Sequence, residues 1–138
     1  MKITKLDDSI LDNIRKEIYK LISEEYFAYQ LYIFSKLAVN SEYINSISQL
    51  FDKIAIDEFN DHMLNLVKWC RDQQFDVPCS EKDFKSFANP ETYKIIQNLK
   101  KNEDALYYVD EAIKSEELAI ESYKKAIETK DLYKYSEL

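Results

Sequence analysis

The chain has 138 residues, 46% of them hydrophobic and 33% charged, with a formal net charge of −7. Acids and bases are interspersed and no apolar run reaches membrane-spanning length, which excludes a basic nucleic-acid-binding stripe and a membrane helix. There is no glycine and there are two prolines, where average usage would supply roughly ten glycines, so positive-φ turns are few and an all-α domain of long helices is expected.

Residues 1–138 are expected to form a single domain. The opening "MKITKLDDSI" lacks a signal-peptide hydrophobic region, and Cys70 and Cys79 form neither a metal-pair spacing nor a disulfide framework. Both features predict a soluble, cytoplasmic protein.

In chain order, Ile14, Ile18, Leu21, Ala28, Tyr32 and Ser35 recur at helical spacing and predict a first long helix over about 9–39, with Asp7, Asp8 and Ser9 as caps. "NSEY" at 40–43 is a short break, and a second long helix is expected over about 42–74 through Ile47, Leu50, Phe51, Ile54, Ala55, Leu66 and Trp69. So short a break makes the two an antiparallel hairpin. "FDVPCSEKDFKSFANP" holds both prolines and reads as a crossover, 75–90, long enough to run from one end of a bundle to the other. A short helix is expected at about 91–101, with Pro90 near its first turn. A third long helix follows over about 104–130, with Ala105, Val109, Ala112, Ala119, Ile120, Tyr123, Ala126 and Ile127 on one face.

Acidic residues interrupt the apolar stripes. On a wheel of about 100° per residue with Glu58 at the origin, Ile47, Asn65, Phe51 and Trp69 fall within roughly 20° of it, His62 at about 40° and Asp61 at about −60°. Glu25 occupies a stripe position between Leu21 and Ala28, and Glu116 one between Ala112 and Ala119. "EYFAYQLY" (25–32) and "EELAIESY" (116–123) share the pattern E-x-x-A-x-x-x-Y, a weak internal repeat of a core-facing acid with a tyrosine two turns later. Buried carboxylates lose hydration and raise one another's pKa unless a cation or hydrogen bonds compensate. Acids from three helices aimed at one axis therefore point to a metal cation, and carboxylates with one imidazole and no thiolate suit iron or manganese. Tyr32 and Tyr123 are expected to donate hydrogen bonds that orient those carboxylates.

At these residues the chain resembles the ferritin-like superfamily of di-iron carboxylate proteins, which includes ferritin, bacterioferritin, Dps-like mini-ferritin and rubrerythrin, over roughly residues 10–135. That family uses a Glu from each of two helices and a Glu-x-x-His from each of two others. The resemblance implies a ferritin-like up-and-down helical bundle with a long crossover, here three long helices plus one short one. It implies a di-iron site with Glu25 and Glu116 as single glutamate ligands, Glu58 bridging, His62 as imidazole ligand and Tyr32 buried beside the site. Fe(II) oxidation by O₂ or peroxide, with iron storage or detoxification in a homo-oligomer, is the implied activity. Two features depart from the family. The spacing from Glu58 to His62 is four rather than three, which leaves Asp61 as the alternative ligand. No second Glu-x-x-His follows "DLYKYSEL", so a shortened chain, a naturally reduced one or a partner chain completing the bundle is expected. Three further readings stand beside this one: a rubrerythrin-like peroxidase without the rubredoxin-type Cys-x-x-Cys pairs, a non-catalytic interaction or assembly module, and an enzyme oxidising an organic substrate at a di-iron centre.

Overall fold

The helix α1 (Asp8–Ala38) is the axis on which the rest of the chain is laid. The computed structural model describes the backbone of residues 8–137 and the side chains of residues 11–129; the elements among these residues are all helical, with no strand. The expected caps Asp7, Asp8 and Ser9 have side chains outside the described residues.

After a single 3₁₀ turn, Ser41–Tyr43, where the side chain of Asn40 accepts the Glu42 N–H at 3.0 Å, the chain reverses into α2 (Ile44–Asp57). A π-helical turn, Glu58–Met63, then joins α2 to α3 (Leu64–Asp72), so that one helical rod runs from residue 44 to 72. The crossover contains α4 (Glu81–Phe87), followed by α5 (Pro90–Gln97), and α6 (Ala105–Glu137) closes the chain. Pairs whose numbers sum to a near-constant value, His62 with Glu25 and Asp52 with Lys36, make α1 and the 44–72 rod antiparallel. Tyr32 with Glu116 and Tyr123 with Glu25 do the same for α1 and α6.

The way α6 packs follows from its sequence. Among the described residues its buried ones are Tyr108, Ala112, Ser115, Ser122 and Ala126, spaced as one stripe of a helix and mostly small, so the α6 backbone can approach α1 closely; Ile120 and Ile127, expected on this face, are exposed instead. Two apolar clusters result. Ala28, Leu31, Tyr32, Val39, Ile47, Phe51, Ala55, Tyr108 and Ala112 fill one end; Tyr19, Ile22, Phe27, Met63, Cys70, Phe84 and Ala88 fill the other. Glu25 and Glu58 lie in sequence and in space between the two.

The structure corrects several element boundaries. The 75–90 segment, expected as a bare connection, includes α4. Ser80 caps that helix by accepting the Asp83 N–H at 3.1 Å, and Phe84 is buried with its ring stacked 4.2 Å from Tyr26. The short helix stops at Gln97, because the chain then turns through Asn102 at φ 63° and ties back to the end of α1. Asn102 N–H donates to Ala38 O at 2.6 Å, and Asn40 N–H to Glu103 O at 2.9 Å. The last helix, expected to end near 130, continues to Glu137.

Without glycine, the chain uses Gln74 and Asn102 at the left-handed positions among the described residues. Gln74 sits in a Schellman motif: Phe75 N–H donates to Cys70 O at 2.8 Å and Gln74 N–H to Arg71 O at 3.0 Å, while the Phe75 ring lies 5.9 Å from that of Trp69.

Candidate metal centre

The π turn decides which side chains meet. Leu64 N–H bonds to Phe59 O, five residues back instead of four, so one extra residue is accommodated in the turn. In an uninterrupted α-helix Met63 and Cys70 would fall more than about 100° from the stripe of Ile47, Phe51 and Glu58. The extra residue rotates them back onto it, and both are buried, Cys70 completely. This corrects the expected stripe through Asn65 and Trp69: Asn65 is exposed and Trp69 only partly buried. The same insertion lets a four-residue spacing place His62 where a three-residue spacing would stand in an α-helix.

Glu25 from α1 and Glu58 from the π turn are buried, at 3% and 4% exposure. His62 Nδ1 lies 3.2 Å from Glu25 Oε2 and 3.2 Å from Glu58 Oε2, with the imidazole 48% exposed at the mouth of the cluster. Ligand atoms of Glu25, Glu58 and His62 all fall within 4.8 Å of one another. Glu116 of α6 is close enough for the Glu58 charge to raise its pKa, but its oxygens do not join the three-residue group. Asp61 is exposed and stands outside the group.

The tyrosines of the internal repeat are exchanged between helices. Tyr32 of α1 donates to Glu116 Oε1 of α6 at 2.7 Å, and Tyr123 of α6 donates to Glu25 Oε1 of α1 at 3.2 Å. Two copies of E-x-x-A-x-x-x-Y on antiparallel helices thus clasp each other reciprocally. Burial, and then the adjacent carboxylates, raise both phenol pKa values, so the hydroxyls remain neutral donors.

Burial also raises the pKa of Glu25, Glu58 and Glu116. Glu58 is pushed up to about 8, first by burial and then by its hydrogen bond to Glu25 and that residue's charge. Among the described residues no lysine or arginine forms an ion pair with these acids; His62 is the basic group in contact with them. Two carboxyls and an imidazole nitrogen held together without a fixed cation, with a third carboxyl beside them, are a donor set that a hard-to-borderline divalent cation fits.

One buried acid, Glu24, had no counterpart among the acids expected from the sequence. It is 3% exposed and accepts the Asn89 N–H at 2.9 Å, which pins the N-terminus of α5 to the axis helix. Its wheel position, about 100° from Glu25, places it toward α5 and α6 and away from the cluster. Cys70 and Cys79 are both free thiols, and no described helix is long and apolar enough to cross a membrane. No protein-family model, curated protein or solved structure matches the chain.

Proposed function

We propose that this protein is a ferritin-like iron-binding protein in which Glu25, Glu58 and His62 take up Fe(II), with Glu116 offering a carboxylate to a second ion. The observation that carries the reading is the convergence of two nine-tenths-buried carboxylates and the chain's single imidazole, supplied by antiparallel helices and braced by a tyrosine hydroxyl. Fe(II) is the substrate: each ion gives one electron to O₂ or peroxide, and anionic oxygen ligands favour the resulting Fe(III). Glu58, central among the three acids, is the bridging candidate, and the half-exposed His62 side is where ion and oxidant enter. Manganese fits the same donors. Storage or detoxification of the oxidised iron in a homo-oligomer follows from the ferritin-like reading, as does completion of the second ion's ligand set by a partner chain.

The test is an anaerobic Fe(II) titration of the metal-free protein followed by admission of oxygen, with absorbance recorded. Saturable binding and oxidation faster than in protein-free buffer support the reading. Absence of binding above the buffer control overturns it and leaves the interaction-module reading, which is favoured by the apolar residues exposed on α6.

A further inference from the structure

We propose that two copies of this chain associate through the outer face of α6, antiparallel, about a two-fold axis at Ile120. The inner face of that helix is already occupied by α1. On the outer face Ile113, Ile120 and Ile127 remain 51%, 52% and 55% exposed. Single exposed apolar residues are ordinary. Three isoleucines at seven-residue intervals form a continuous line along one helix, the pattern of a helix that meets another lengthwise.

The charges beside this line select both the partner and its direction. Glu117 and Lys124, each four residues beyond an isoleucine, border the same edge and are not buried. Among the described residues Lys124 pairs with Glu121, at 4.0 Å, with both side chains largely in water; such a pair holds little and releases Lys124 easily. A parallel second copy would turn this edge toward the partner's opposite edge, where Ala112 and Ala119 stand, and pair neither charge. An antiparallel copy crossing at Ile120 sets Ile113 opposite Ile127 and Glu117 opposite Lys124, and the two-fold axis repeats both pairings. The face is therefore complementary to itself in shape and in charge, the requirement for an isologous dimer. With three half-exposed isoleucines per copy as its centre, the interface belongs to the small, exchangeable class.

Sedimentation velocity from micromolar to millimolar chain concentration tests this. The wild type is expected to pass from monomer to dimer over that range, and Ile120→Glu to remain monomeric. Glu117→Lys and Lys124→Glu are each expected to weaken association about tenfold, and the double variant E117K/K124E to recover it to within a few-fold of wild type. None of the three positions is buried, and far-UV circular dichroism checks that each variant is folded. A wild type that stays monomeric throughout, a dimer indifferent to Ile120→Glu, or a double variant no better than the single ones overturns the proposal.

Discussion

Replacing Glu58 by glutamine should make the metal-free protein more stable at alkaline pH, because it removes a carboxyl that the fold buries but does not neutralise with a fixed cation. Glu58 is held near 8 against an ordinary value of 4.5. Between those two values the folded chain carries a proton that the unfolded chain has lost, so stability is full below about pH 4.5 and falls as pH rises to about 8. At about 1.4 kcal/mol for each tenfold change, the gap is a penalty on the order of 4–5 kcal/mol once Glu58 ionises. That is a large share of the roughly 5–15 kcal/mol that holds a domain together. The amide introduced by Glu58→Gln keeps the hydrogen-bonding shape and cannot ionise. Urea unfolding followed by circular dichroism, in chelator and across pH 5 to 9, should show wild-type stability declining through this window. Glu24, Glu25 and Glu116, whose pKa values are also raised by burial, contribute in the same direction. Glu58→Gln should decline less, lie within about 1 kcal/mol of wild type at the acid end, and exceed it by several kcal/mol at the alkaline end. Wild-type stability that is flat or rises between pH 5 and 8, or a variant with an unchanged slope, would refute the reasoning.

Three further outcomes are expected. His62→Ala should weaken Fe(II) binding by roughly tenfold or more, while Asp61→Ala, altering an exposed side chain outside the cluster, should leave it unchanged; isothermal titration of both variants checks this. Gln74→Gly should stabilise the fold by about 1 kcal/mol, since glycine takes the φ of 63° without the side-chain clash, and the urea midpoint should rise accordingly. Deletion of the exposed Asn60 should convert the π turn to α-helix while keeping Ile47, Phe51, Met63 and Cys70 on one stripe and Glu58 three residues from His62. The deleted protein should bind Fe(II) like wild type with unchanged or greater stability, whereas unfolding would show that the π turn has another role.

The long helices were legible because their apolar residues recur over many turns and no glycine or proline interrupts them. The π turn was not, since a wheel of constant pitch carries every residue after Glu58 onto the wrong angle. Its signal lay in the five-residue step from Glu58 to Met63 followed by seven to Cys70, which no α-helix can place on one face. The helix α4 was hidden between two prolines, although Ser80 with Asp83 is a capping pair and Phe84 supplies the buried contact. The acids Glu25, Glu58 and Glu116 stood out as charges on apolar stripes, and the repeat "E-x-x-A-x-x-x-Y" tied each of Glu25 and Glu116 to a tyrosine. That each tyrosine would serve the other helix's acid depended on the antiparallel register of α1 and α6, which a sequence repeat does not carry. The choice between Asp61 and His62 likewise depended on the extra residue in the π turn.

Whether the acids and the imidazole hold iron between α1 and the π turn is tested most directly by crystals soaked anaerobically in Fe(II), with anomalous diffraction recorded at the iron edge. The expected result is an iron peak bounded by the carboxylates of Glu25 and Glu58 and the ring of His62. A protein whose iron sits elsewhere, with those three side chains bonded only to one another, would contradict the assignment.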